Sequence, residues 1–263
     1  MSTYNILSQT ERQRVSDGAV VSILSGCESS PRKLVLILPQ LGDFDSLEYA
    51  WWLRRDTDRL QSQNIVIRAV GIGDRTSGQK FCDFTGFPPD CLFVDPTAQL
   101  HQTLNLYSGL ALKLPGLSSG ANAWLNLMLM CAGIGSPGTL AEVFRGYKGD
   151  TKAPQLIGDE EIVKAAPLPP LKGSFFKWAG GKGYQRPFEL ATLRLRNMTE
   201  VLTNWKTYVP NPAYLTQRGA TFLFDKQGEL LYQHCDRAIL GFAANMSNPL
   251  SFLKDFVSDK NFN

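Results

Sequence analysis

Residues 33–48 read KLVLILPQLGDFDSLE, and the two halves of this stretch call for different structures. Lys33 to Leu38 is a continuous apolar run with β-branched members, as in a strand covered on both faces. Pro39 to Asp45 predicts a turn. Ser46 to Leu60 then predicts a helix, with Leu47, Ala50, Trp51 and Leu53 supplying much of its apolar face. Asp45 stands three residues before Glu48, the spacing of a cap with a back-bonding partner.

Outward from there the rhythm continues. Asn64 to Val70 predicts a strand. Thr76 to Thr85 predicts a helix that stops at Gly86, with Pro88 just beyond. Cys91 to Val94 predicts a short strand, and Thr97 to Tyr107 a short helix. Alternating strands and helices predict a parallel or mixed sheet with helices on its faces. Near the end, Ala220 to Phe224, the turn Asp225-Lys226-Gln227-Gly228, and Glu229 to His234 predict a β-hairpin. Asn248-Pro249 is expected to open a last helix, Leu250 to Val257. Residues 108–216 lie between these parts, about a hundred residues, far more than an ordinary loop. They contain an apolar piece (Ala123 to Ile134) expected to be a buried helix on the sheet, a Pro-rich link (Ala165 to Gly173) and a helix from Glu189 to Trp205. The chain thus divides into an extension (1–30), a first part (31–107), an insertion (108–216) and a closing part (217–263).

With 263 residues, 43% of them hydrophobic, the chain can bury a sizeable core. A net charge of +3 is too small to call for nucleic acid as an obligate partner. The first residues lack a basic stretch followed by an apolar one, so no secretory leader is expected. The longest apolar run is about half of what a bilayer span needs, which predicts a soluble protein, at most lying on a membrane surface. The five cysteines are scattered, no CxxC occurs, and the two histidines, His101 and His234, cannot complete a zinc spacing. No metal or cofactor is expected, and the compartment is expected to be reducing and cytoplasmic.

Three segments together carry a family resemblance. KLVLILPQLGDFDSLE (33–48) resembles the first strand and active-site turn of the AhpC/TSA-type peroxiredoxin-like proteins. FCDFTGFPPDCLFVDPTAQLHQTLNLYSG (81–109) is similar to their next helix, Gly-Phe-Pro turn and strand ending in Asp-Pro. RGATFLFDKQGELLYQH (218–234) is similar to their closing hairpin. The resemblance implies an α/β, thioredoxin-like three-layer fold with a mixed central sheet and a large insertion before the C-terminal β-hairpin. It also implies a cysteine pair after Gly42, whereas this chain has Asp43 and Ser46 at the two places. A cysteine there works because a helix N-terminus favours its thiolate. A carboxylate shares that stabilisation but cannot cycle through sulfenic acid or a disulfide. Ser46 reads as a cap, since no base adjoins it in sequence. Arg218 lies close to where peroxiredoxins keep a thiolate-supporting arginine and, with no thiolate to assist, reads as a vestige or a surface charge.

Other chemistry is weighed beside its plainer alternative. Cys82 and Cys91 flank the Gly-Phe-Pro turn as a relocated redox pair, or as small half-buried hydrophobes, the commoner behaviour. Cys235 adjoins His234, but consecutive residues on a strand face opposite ways. Asp43 and Asp45 are paired acids without an evident third ligand, more often caps than a metal site. Residues 172–188 (KGSFFKWAGGKGYQRPF) interleave Lys172, Lys177, Lys182 and Arg186 with Phe175, Phe176, Trp178 and Tyr184. Exposed, such a segment suits an anionic membrane surface, a nucleic acid or a protein partner; the plainer alternative has the aromatics packed inward and the lysines solvated. Its glycines lack the spacing of a phosphate loop. The sequence therefore predicts a non-catalytic accessory or assembly protein, the alternative being a thiol peroxidase or oxidoreductase using Cys82, Cys91 or Cys235. The first requires that no thiol be poised at the N-terminal end of the helix near Ser46.

Overall fold

The apolar run at 33–38 lies inside a seven-stranded mixed sheet. The computed structural model describes residues 1–179 and 184–257. In chain order the sheet takes β1 (Glu11–Arg14), β2 (Val20–Ser22), β3 (Arg32–Gln40), β4 (Ile65–Ile72) and β5 (Leu92–Val94). Four short strands follow outside it, β6 (Asp150–Pro154) paired with β9 (Tyr184–Gln185), and β7 (Ile162–Val163) paired with β8 (Leu171–Lys172). The chain then returns with β10 (Ala220–Asp225) and β11 (Leu230–Cys235), giving the spatial order β11-β10-β3-β4-β5-β1-β2. β3, β4 and β5 run parallel, while β10 is antiparallel to both β3 and β11. This is the thioredoxin-like α/β architecture. Residues 11–22, which read as an extension, supply two strands at one edge.

The helices are α1 (Thr3–Gln9), α2 (Phe44–Arg55), α3 (Thr57–Ser62), α4 (Arg75–Thr85), α5 (Gln99–Thr103), α6 (Ser119–Cys131), α7 (Thr139–Lys148), α8 (Pro187–Thr203) and α9 (Trp205–Tyr208). Alternation along β3 sorts them into layers. Leu34, Leu36 and Leu38 join one cluster with Trp51, Phe81, Leu190 and Leu193 of α2, α4 and α8. Val35 and Ile37 join the other with Leu7 of α1 and Leu100 of α5. α2 is buried from Asp45 to Leu53, not on one face as its pattern predicts, because α8 covers the side turned away from the sheet.

Several predicted bounds shift for local reasons. β3 continues through Pro39 to Gln40, and the β3–β4 register slips there, since proline has no N–H to give the ladder. The predicted helix 46–60 starts earlier, at Phe44, and breaks at Asp56 into α2 and α3. Residues 251–255 form a 3-10 turn in place of the predicted last helix.

The apolar piece at 123–134 corrects its expectation more strongly. It falls largely in α6, which buries only Asn126 and Met130 and leaves Met128 60% exposed. α6 is held from outside the sheet. Asn126 accepts from Leu112 N at 3.0 Å and donates to Leu112 O at 2.9 Å, and Trp124 stacks on Trp205 with centroids 4.7 Å apart. Among the described residues, no helix is long and apolar enough to cross a membrane.

Candidate functional site

The turn between β3 and α2 carries Gly42 and Asp43, and its geometry is set by close approach. A Cβ at Gly42 would lie 2.8 Å from Tyr208 Cβ and 3.0 Å from Val209 Cγ2. Gly42 therefore lets the segment after α8 close over the turn. Gly42→Ala should cost about 1–3 kcal/mol by overpacking, read as a lowered urea midpoint; an unchanged midpoint would show that the turn has room.

Asp43 is the N-cap of α2, its Oδ1 accepting from Asp45 N at 2.9 Å. Ser46 is not the cap that its spacing suggests: it is buried inside the first turn, and its hydroxyl donates to Gln40 O at 2.9 Å. Asp45, the other predicted cap, lies within the helix and accepts from Leu240 N at 2.9 Å. Its proposed back-bonding partner Glu48 instead pairs with Arg194 of α8 at 2.8 Å. Arg194 also reaches Glu142 of α7, and Arg145 links Glu142 to Asp150, so one charged network ties α2, α7, α8 and β6.

Of the two expectations for Arg218, vestige or surface charge, the structure removes the second. Arg218 is completely buried, and its guanidinium donates to Asp43 Oδ2 and, at 3.3 Å, to Asp45 Oδ2. Its remaining donors reach the carbonyls of Thr216 and Leu215. Burial opposes its charge, yet Asp43 and Asp45 hold its pKa above the ordinary arginine value. A third acid, Asp236 at the end of the hairpin, is buried beside them. Burial, offset in part by Arg218, pushes its carboxyl up to about 7. Burial and then the charge of Asp43 also push Asp45 well above the usual carboxylate range. Three acids thus converge on one cation, and burial biases two of them, Asp45 and Asp236, towards their protonated forms.

All five cysteines are free. Cys82 of α4 is buried, which pushes its thiol up to about 12. Cys91 is half-buried and raised for the same reason, although Arg68 Nη1 approaches its sulfur at 3.6 Å. Cys235 accepts from Gln233 Nε2 at 3.1 Å. His234 is engaged elsewhere, its Nε2 2.8 Å from Gly241 O. The thiol nearest the turn is one the sequence did not single out. Cys131, at the end of α6, lines the same cavity as Gly42 and Asp43. Part of its surface is exposed, but desolvation and then the Asp43 charge raise its pKa, the reverse of what an attacking thiol needs. Nothing in the spacing flags Cys131, because the fold of the long segment brings it there.

The profile of the AhpC/TSA antioxidant enzyme family matches residues 52–238. The chain belongs to that family. The match to AhpC/TSA proteins takes in Cys82, Cys91, Cys131, Cys235 and Arg218, and begins downstream of Gly42, Asp43 and Ser46. No curated protein matches the chain.

In this AhpC/TSA protein the described residues of the basic and aromatic segment at 172–188 divide between buried and exposed side chains. Arg186 and Phe176 are buried, Arg186 being paired with Glu189 and lying over the Phe176 ring. Lys172 pairs with Glu160 at 2.6 Å, and Lys177 with Asp159. Phe175 is exposed, and Trp178 is 92% exposed. Tyr184 belongs to β9, and Lys182 lies outside the described residues. Among the described residues no group of His, Cys, Asp and Glu side chains could hold a metal ion.

Proposed function

We propose that this AhpC/TSA protein is non-catalytic in thiol chemistry and acts as a protein-binding accessory or assembly factor. The observation that carries the reading is the Asp43–Arg218–Asp45 arrangement at the α2 N-terminus. In a peroxidatic site that helix end and an arginine stabilise a thiolate. Here an aspartate side chain occupies the place, and the buried Arg218 is engaged by Asp43, Asp45 and two carbonyls. On this reading Gly42, Asp43, Ser46 and Arg218 are a retired redox site kept for structure.

The binding half of the reading is supported by where large apolar side chains are exposed. Apart from Met1, Val20 and Leu230, those exposed among the described residues lie between Leu112 and Leu202. Phe144, Tyr147, Phe175, Trp178 and Phe188 are the aromatic members of this set that are more than half exposed. This concentration of exposed apolar side chains in one segment supports an interaction surface there. It favours dividing the chain into a thioredoxin-like body and an insertion, 108–216, that carries the interface. A protein partner is favoured over an anionic membrane surface because Lys172 and Lys177 already have acidic partners.

The test has two arms. The purified chain, given hydrogen peroxide and a dithiol, should show no turnover above the protein-free rate, and replacing Cys82, Cys91, Cys131 or Cys235 by Ser should change nothing. Turnover abolished by one replacement would establish the thiol enzyme instead. In the second arm, proteins crosslinked to the wild type should be lost from a Phe175→Ser/Trp178→Asp variant with unchanged circular dichroism. Unchanged recovery would place the interface elsewhere.

A further inference from the structure

Three helices of the long middle segment are amphipathic in the reverse sense. A surface helix in water turns its polar residues outward and its apolar stripe to the core. The residues that α7 buries are Thr139, Glu142 and Gly146, while Leu140, Phe144 and Tyr147, at i, i+4 and i+7 on one stripe, are exposed. α6 spends Asn122 and Asn126 on the backbone of residues 112–118 and exposes Trp124 and Met128. α8 buries Glu189, Thr192 and Asn197 beside Leu190 and Leu193, and exposes Phe188, Met198 and Leu202.

The exposed stripes adjoin one another. Met198 and Leu202 share one hollow with Trp124 and Met128, and Met198 shares a second with Tyr147. Charge is folded away from this face. Arg145 of α7 and Arg194 of α8 both pair with Glu142, and Arg186 pairs with Glu189. Residues 114–141, which include all of α6, contain no Asp, Glu, Lys, Arg or His, although 19% of the chain is charged.

What covers such a face follows from what it offers. A protein interface carries about one hydrogen bond per 100–200 Å2 and a polar rim. Among the eight exposed side chains named above, only the Trp124 indole and the Tyr147 hydroxyl are strong hydrogen-bonding groups. A phospholipid surface asks for no more than that. It receives apolar side chains at the edge of the acyl chains, and Trp and Tyr, apolar rings with one polar atom, suit the headgroup boundary. Because acids already engage Arg145 and Arg194, attachment rests on apolar insertion and not on anionic headgroups. Among the described residues no helix is fit to cross a bilayer, so the helices lie along its surface.

We propose that the face made by α6, α7 and α8 seats the protein on a neutral phospholipid surface, with Trp124, Met128, Phe144, Tyr147, Met198 and Leu202 entering the outer acyl-chain region. This goes beyond the accessory role. It leaves Phe175 and Trp178, on the turn at 173–179, to the protein partner.

Flotation of the intact chain with vesicles of phosphatidylcholine alone tests it. The wild type should float with small sonicated vesicles, whose curvature opens gaps between headgroups, and bind large extruded ones about threefold less. Added phosphatidylserine or raised salt should change the bound fraction by less than about twofold. Phe144→Glu and Met198→Glu should each lower partitioning about tenfold or more. Phe144→Leu and Met198→Leu should keep it, all four variants retaining the wild-type circular dichroism. No flotation of the folded wild type, flotation that both glutamates leave unchanged, or binding that requires phosphatidylserine and is lost in salt would each overturn the assignment. Absence of flotation together with a crosslinked protein lost from Phe144→Glu would give the face to a protein partner instead. The Phe175→Ser/Trp178→Asp variant should float like the wild type, so this reading and the protein-binding one fail separately.

Discussion

Arg218→Met should lower the stability of the protein by about 3–5 kcal/mol at pH 8, the range for removing one partner of a buried ion pair. The substitution keeps much of the side-chain volume but leaves Asp43, Asp45 and Asp236 facing one another without a cation. It also strips donors from the carbonyls of Thr216 and Leu215. The loss should be pH-dependent. Asp45 and Asp236 already have raised pKa values, and losing the guanidinium raises them further. Towards pH 5 both acids take up protons, so the gap between wild type and variant should narrow. Urea unfolding of both proteins at pH 5 and pH 8 measures this. A constant gap would mean that Arg218 contributes packing and not charge compensation.

The second large effect is the pH dependence contributed by Asp236. Its folded pKa, about 7, exceeds the ordinary value of 3.8. Between those values the native state holds a proton that the unfolded chain has released. The stability contributed by this group is therefore complete below about pH 4 and is lost as pH rises through 7, at about 1.4 kcal/mol per pH unit. His101 opposes it. Burial holds that imidazole down to about 4 from 6.5, so the native state resists protonation and stability is lost as pH falls from 6.5 towards 4. The two slopes offset one another between those pH values, and the wild-type profile alone would hide both. The difference between wild type and Asp236→Asn isolates the carboxyl: the variant should gain on the wild type as pH rises from 4.5 to 7.5, by about 3–4 kcal/mol in total. A difference that does not change with pH would show that Asp236 is not protonated in the native state.

The fold was legible because its signals are local. The run at 33–38, Gly86 after α4, and the Asp225–Gly228 turn each announce themselves within a few residues. The α2 N-terminus was legible in outline for the same reason, although which acid caps it depended on where the helix starts. The rest of the site is assembled from distant segments. Asp43, Arg218 and Asp236 meet because β10 inserts beside β3, and Cys131 joins them because α6 lies against the turn instead of on the sheet. No spacing in the chain encodes those approaches. In residues 172–188 composition shows the charges of Lys172, Lys177 and Arg186 but not the acids folded against them. One clue was available, since Glu189 stands three residues after Arg186 at the start of a helix, the spacing of a paired cap.

The position of β10 between β3 and β11 has a consequence for biosynthesis. Its partner β3 leaves the ribosome about 185 residues earlier. At 5–20 residues per second, roughly 10–40 s pass before that edge can be closed. Throughout that interval one of the most apolar strands of the protein offers unpaired amides and carbonyls to any neighbouring nascent chain. Slower translation would lengthen this exposure, and a holdase that covers the strand until Asp225 emerges would raise the yield of native protein.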